Sequence, residues 1–298
     1  MDNVLKQLNQ KLKDQVQQNV FMSLHTTFKI GGPAKYFYVA KIESDIIKAL
    51  KLARELNLNY YVLGGGSNIL VSDQGFNGLV IKINLDKLEI KDEIVYCESG
   101  VSLGNLIGQC AKKNLGGMEI LAGVPGTVGG AIFGNAGSPR LAIDDFIKSV
   151  KVLDKNFKII ELKNEDCRFA YRQSRFKETK EIILSAVFEM NKGGGIQIQE
   201  KIKESLKKKK ESQPLEFPSA GCIFKNPKEK PAWQFIKEAD LAGKKIGGAM
   251  VSEKHANYIV NTGNATAEQV IMLISLIKQK VRTQFNIQLQ EEIQLVGF

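Results

Sequence analysis

Residues 120–134 are fifteen uncharged residues, apolar or small, before the polar Asn135, and no other stretch constrains the fold of this chain as strongly. The run is too short to cross a bilayer as a helix, which takes roughly 20 apolar residues. It also holds Gly123, Gly126, Gly129, Gly130, Gly134 and Pro125, a composition that breaks regular elements. The expectation is a long apolar loop. Loops of this length within a compact domain are usually functional. Glycines let another group approach the backbone closely, and successive N–H groups in such turns can face anionic oxygens.

A second glycine turn, Gly64-Gly65-Gly66-Ser67-Asn68, follows the strand-like Tyr60-Tyr61-Val62-Leu63. Ile69 excludes both G-x-G-x-x-G and G-x-S-x-G, and no Lys-Ser/Thr pair follows to make a Walker A loop. Alone, this turn reads equally well as a hairpin or bulge. It gains weight beside Gly123-Val124-Pro125-Gly126-Thr127-Val128-Gly129-Gly130-Ala131 and the later Asn135-Ala136-Gly137. Two such turns can hold both ends of a diphosphate cofactor without a Rossmann unit. That points to a flavin or nucleotide held mainly by backbone groups.

At 298 residues, two or three domains are expected. The net charge of +10 admits nucleic acid, anionic lipid or anionic small molecules as partners. The densest run, Lys207-Lys208-Lys209-Lys210, has no interleaved aromatics for base stacking, and no nucleic-acid-binding signature is present. Cys97, Cys110, Cys167 and Cys222 form no C-x-x-C pair, and His25 and His255 are far apart, so no metal site is expected. The Met-Asp-Asn start without an apolar signal segment fits a reducing cytoplasm. Neither nucleic acid nor membrane is expected as a partner, and the default oligomeric state is a monomer.

Short strands alternate with helices through the first half. Ser44 is expected to cap a helix bearing Ile46, Ile47, Leu50, Ala53 and Leu56. Ser102 caps another, with Leu103, Leu106, Ile107 and Cys110 on one face and Gly116 as its stop. Residues 79–83 and 181–189 read as strands, and 150–153 with 158–162 as a hairpin around Asp154-Lys155-Asn156. Ile198, Ile202 and Leu206 mark a helical stripe ending in the lysine run. Thr266 and Gln269 form a capping box before Val270, Leu273, Ile274, Ile277 and Val281. Residues 289–296 read as a closing strand. The class is α+β. Gly193-Gly194-Gly195 marks the clearest boundary, which gives expected domains of 1–80, 81–195 and 196–298, the last strand being free to return to the first part.

Chemistry enters with Pro218-Ser219-Ala220-Gly221-Cys222-Ile223-Phe224-Lys225-Asn226-Pro227, where one thiol stands among small residues. From the residues alone, Cys222 is a proton donor, a nucleophile or a buried inert cysteine. Residues 25–34, 63–70, 122–131 with 135–137, 171–176, 218–227, 251–257 and 289–293 fall in one order along nearly the whole chain. Together they resemble the UDP-N-acetylenolpyruvoylglucosamine reductase (UDP-N-acetylmuramate dehydrogenase) family.

The resemblance implies a two-subdomain FAD-binding module of the vanillyl-alcohol-oxidase type and a C-terminal α/β domain that covers the substrate. NADPH would reduce FAD. The flavin would then pass a hydride to the enolpyruvyl ether of UDP-N-acetylglucosamine, making UDP-N-acetylmuramate for peptidoglycan. The cofactor-binding residues it implies are Gly64, Gly65, Gly66, Ser67, Asn68, Gly123, Pro125, Gly126, Thr127, Gly129, Gly130, Ala131, Asn135, Ala136 and Gly137. The catalytic set is Arg172, Cys222 and Glu292, with Tyr171, Lys210 and Asn226 toward the substrate.

Two elementary demands fit that set. Hydride addition leaves an enolate, which preorganised charge stabilises and a nearby acid protonates. A guanidinium suits the substrate carboxylate. A thiol, with an ordinary pKa of about 8.5, is protonated near neutrality. Cys222 stands where most members carry serine, and Ser138-Pro139-Arg140 replaces the usual Ala-Tyr-Gly. No tyrosine occurs between Tyr171 and Tyr258, which marks the short form of the family. Two alternatives stay open: a different flavin oxidoreductase on the same module, and a non-enzymatic basic protein.

Overall fold

The computed structural model describes residues 2–13, 15–138 and 141–298. They divide into two compact units. The first comprises residues 1–17, 36–65 and 78–209, and the second 18–35, 66–77 and 210–298.

The first unit contains helices α1 (Asn3–Lys11), α2 (Glu43–Glu55), α3 (Leu103–Lys112), α4 (Val128–Gly134) and α5 (Phe176–Thr179). The long α6 (Gly195–Ser212) begins in it. An antiparallel sheet sets its strands in the order Ile159–Lys163, Ile147–Leu153, Ile182–Glu189, Ile94–Glu98 and Leu88–Lys91. Its core is made by Val95, Cys97, Val150, Val152 and Phe188 from the strands, with Leu103, Leu106, Ile107 and Cys110 from α3. A separate core packs Leu8, Ile46, Leu50 and Ala53 against Tyr36, Tyr38, Leu79 and Ile81. There Tyr60–Leu63 runs parallel to Phe76–Ile83, with Tyr60 opposite Leu79.

The second unit has helices α7 (Ala232–Glu238) and α8 (Ala267–Phe285) and an antiparallel sheet ordered Ser219–Cys222, Tyr258–Asn261, Ala249–Val251, Lys245–Ile246. The expected face of α8 is buried: Val270, Leu273, Ile274, Ile277 and Val281 join Phe28, Leu70, Ile223 and Ile259 in one core. Its Thr266–Gln269 capping box forms as expected, and Asp73 adds a second anchor by accepting the N–H groups of Ala267 and Glu268 at 2.9 and 3.1 Å. Residues Gln294–Val296 pair in parallel with Ile69–Val71.

Four expectations change. Helix α2 starts at Glu43, ahead of Ser44, with no side-chain cap; Lys151 Nζ holds the Glu43 carboxylate at 2.7 Å. Helix α3 ends at Lys112, because Asn114 takes the left-handed conformation (φ 58°) and Gly116 enters a short ladder with Asn191. The closing strand spans only 294–296, the length of its partner. The apolar loop is not structureless. Thr127 caps α4 by accepting the Gly130 N–H at 3.3 Å, and Gly129 packs on Ser99, where a Cβ would stand 2.7 Å from the Ser99 Cβ. No helix among the described residues is long and apolar enough to cross a membrane.

Candidate active site

In the first unit the two glycine turns meet at their backbones. A Cβ on Gly65 would lie 2.7 Å from Gly126 Cα, and one on Gly64 2.8 Å from Thr127 Oγ1. Gly123 and Gly126 have φ of 79° and 118°, conformations that favour glycine. The Gly126 carbonyl accepts the Leu103 N–H at 3.1 Å and Gly129 donates to Ser99 O at 2.9 Å, which ties the second turn to the sheet side of α3. Pro125 and Gly130 are exposed and Ala131 is buried. The result is a close contact between two uncharged turns, which side chains at Gly64 or Gly65 would push apart.

The chain leaves α4 through Asn135, buried and left-handed at φ 44°. Its Nδ2 donates to Ala170 O at 3.1 Å and its Oδ1 accepts the Asp144 N–H at 3.4 Å. Ala136 N–H closes onto Ala131 O at 2.8 Å. Arg172 Nη1 donates to Gly137 O at 2.8 Å and to Asn135 O at 3.5 Å, while its guanidinium carbon lies 5.5 Å from the Tyr171 ring centre. Arg172 itself is at φ 54°, sparsely populated for a residue with a side chain, and Lys177 Nζ holds its carbonyl at 2.7 Å. Strain of this kind concentrates at functional sites. The structure thus brings Asn135, Gly137, Tyr171 and Arg172 together. Pro139 and Arg140 lie outside the described residues.

The other candidate residues lie in the second unit. Gly66 (φ 64°) accepts the Thr27 N–H at 3.1 Å, and Ser67 is half-buried. Asn68 is anchored twice on the chain's last segment, through Nδ2 to Glu292 O at 3.2 Å and through its carbonyl to Gln294 N–H at 3.0 Å. Cys222 is half-buried at the end of its strand, opposite Tyr258 and after Gly221 at φ 79°. Ile223 donates to Asn257 O at 2.8 Å and accepts the Glu292 N–H at 2.8 Å. Glu292 is therefore fixed one residue away from Cys222 across the backbone. Its neighbour Glu291 is committed to an ion pair with Lys278 at 2.7 Å. Asn226 Oδ1 accepts the Ala232 N–H at 3.0 Å, anchoring the turn to the start of α7. Lys210 is exposed, and its carbonyl accepts from Lys254 Nζ at 2.6 Å.

The other three thiols are structural. Burial pushes the Cys110 and Cys167 thiols up to about 12 and raises that of Cys97 further. Sequence reasoning missed Thr27, whose Oγ1 donates to Ser219 O at 2.7 Å across 192 residues and steadies the Cys222 strand. No local signal could have found that contact.

The family profile of the UDP-N-acetylenolpyruvoylglucosamine reductase C-terminal domain matches residues 213–296, and that of an FAD binding domain matches residues 33–163. A UDP-N-acetylenolpyruvoylglucosamine reductase of Carboxydothermus hydrogenoformans is 43% identical over 294 residues, covering 98% of this chain and 97% of the relative. This chain belongs to the UDP-N-acetylenolpyruvoylglucosamine reductase family. A Clostridium tetani reductase of the same name is 37% identical, covering 95% of this chain and 93% of its own. The crystal structure of the Thermus caldophilus reductase superposes with a TM-score of 0.83 at 30% identity, covering 95% and 99% of the two chains. A wild-type Phl p 4 glucose dehydrogenase shares the fold at TM-score 0.53 and 17% identity over 65% of this chain and 45% of its own.

The chain is accordingly an FAD-containing oxidoreductase. The pair of turns that meets in the first unit fits that cofactor. Both turns are uncharged and glycine-rich, and the N–H groups of such turns can meet a diphosphate.

Proposed function

We propose that this protein reduces the enolpyruvyl ether of UDP-N-acetylglucosamine to UDP-N-acetylmuramate in peptidoglycan precursor synthesis, with NADPH as electron source. FAD, when bound, would supply the hydride chemistry by which NADPH reduces the substrate at its methylene carbon. Gly64, Gly65, Gly123, Gly126, Thr127, Gly129 and Gly130, with Gly66, Ser67 and Asn68, are the residues assigned to hold FAD.

Addition at the methylene carbon places negative charge on the adjacent carbon and its carboxylate. Arg172, immobilised on the carbonyls of Gly137 and Asn135, answers that charge with a preorganised guanidinium. Cys222 gives its Sγ proton to the adjacent carbon, and solvent restores it before the next turnover. Glu292 supports the charge with Arg172. Tyr171, Lys210 and Asn226 are assigned to holding the substrate, Lys210 through its diphosphate. The observation that carries this reading is the backbone bond from Glu292 to Ile223, the residue after Cys222, which ties together the two segments that bear the acid and the thiol.

The test is NADPH oxidation by the purified, flavin-loaded protein with and without UDP-N-acetylglucosamine-enolpyruvate. Cys222→Ala should let NADPH bleach the flavin but stall turnover, and Cys222→Ser should keep substantial activity. Normal turnover by Cys222→Ala would remove the thiol from the mechanism. A different enol ether as the only accepted substrate would overturn the assignment.

A further inference from the structure

The lysine run is not one solvated face. Lys208 pairs with Glu204 one turn back at 2.6 Å, and Lys210 is exposed. Lys209 turns inward, where its Nζ donates to Ile120 O at 3.0 Å and to Ala122 O. One turn earlier on α6, Ser205 Oγ donates to the same Ile120 carbonyl at 3.2 Å. Between these contacts Leu206 covers Gly123. A Cβ on Gly123 would stand 2.9 Å from Leu206 Cδ2 and 3.3 Å from Lys209 Cδ. One face of α6 therefore grips the chain where it enters the second glycine turn, and all of these residues lie in the first unit.

We propose that Lys209 is a positioning residue for FAD. Its ammonium fixes the carbonyls of Ile120 and Ala122, and with them the orientation of residues 123–127 that the cofactor rests on. The inference depends on the assignment of that turn to FAD. A cation is an expensive way to hold a loop, because burial disfavours its charge. Here burial pulls the Lys209 ammonium down to about 8. The groups facing it offer no compensating carboxylate: residues 120–134 are uncharged, Glu119 accepts the Gly117 N–H at 2.9 Å, and Glu204 is taken by Lys208. The grip is thus charged at neutral pH and weakens just above it.

The sign of the pH effect separates this role from a merely structural one. The folded protein gives up the Lys209 proton before the unfolded chain does, so this residue's contribution to stability rises as pH increases above about 8. FAD affinity should move the opposite way. Apoprotein of the full chain is titrated with FAD by flavin fluorescence at about pH 7 and about pH 9, around the lysine transition. Hydrogen exchange of residues 120–127 is followed in parallel without cofactor. Lys209→Gln should weaken FAD binding by about tenfold to a hundredfold, the scale of a charge-assisted hydrogen bond, and speed exchange in the loop. Lys209→Arg should retain affinity and flatten the pH dependence. Wild-type protein should lose FAD affinity at the higher pH without melting earlier. Equal FAD affinity at both pH values, or a Lys209→Gln protein with wild-type affinity and loop exchange, would overturn the proposal. Wild-type protein that binds no FAD would instead overturn the assignment of the turn.

Discussion

The contact between the two glycine turns sets a quantitative prediction for Gly65→Ala. Gly65 lies outside the left-handed region, so alanine meets no torsional barrier there. The obstacle is space. The new methyl carbon would stand 2.7 Å from Gly126 Cα and 3.2 Å from both Gly126 C and Thr127 N. Carbon pairs prefer about 3.5–4.0 Å, so the turns must part by about 1 Å. The opposing atoms are backbone and cannot rotate aside. Overpacking of this kind costs about 1–3 kcal/mol, and at about 1.4 kcal/mol per decade FAD affinity falls by about fivefold to a hundredfold. The assay is flavin fluorescence titration of the apoprotein together with its thermal melt. Gly108→Ala is the control: within α3, where a Cβ meets nothing within 4 Å, it should stabilise by about 0.5–1 kcal/mol and leave FAD affinity alone. Wild-type FAD affinity and melting in Gly65→Ala would refute close packing of the turns.

Lys210→Ala should raise the substrate KM more than it lowers kcat, the signature of lost ground-state binding, and steady-state kinetics with the enolpyruvyl substrate would show it. An unchanged KM would return Lys210 to solvent. Asp73→Ala removes the acceptor for two N–H groups at the start of α8 and should cost about 1–2 kcal/mol, read as a lower melting temperature with unchanged FAD affinity.

What the sequence made legible was local. Ser102 with Asn105, and Thr266 with Gln269, satisfy helix-end N–H groups within three residues, and both caps are where the pattern put them. The hairpin around Asp154 is equally local, since Asp154 Oδ1 accepts from Asn156 and Lys158 at 2.8 Å. Misreadings arose where a distant partner decided the outcome. Lys151 anchors Glu43 across 108 residues and advances the start of α2, and residues 69–71 set the length of the last strand. The site divides the same way. The family resemblance named Arg172, Cys222 and Glu292, but Arg172's anchorage on Gly137 and Glu292's bond beside Cys222 are long-range and carry no periodic signal. Lys209 was hidden for a further reason: four consecutive lysines look alike until the helix phase selects which one faces inward.

The parallel pairing of residues 69–71 with 294–296 bears on the order in which the molecule can be built. Strand 69–71 is made more than two hundred residues before its partner. Asn68 likewise waits for residues 292 and 294 to satisfy its side chain and carbonyl. Long-range closure of this kind is entropically slow. A chain cut before residue 292 therefore lacks both partners of Asn68, and its glycine turn stays without those bonds however well the rest has folded.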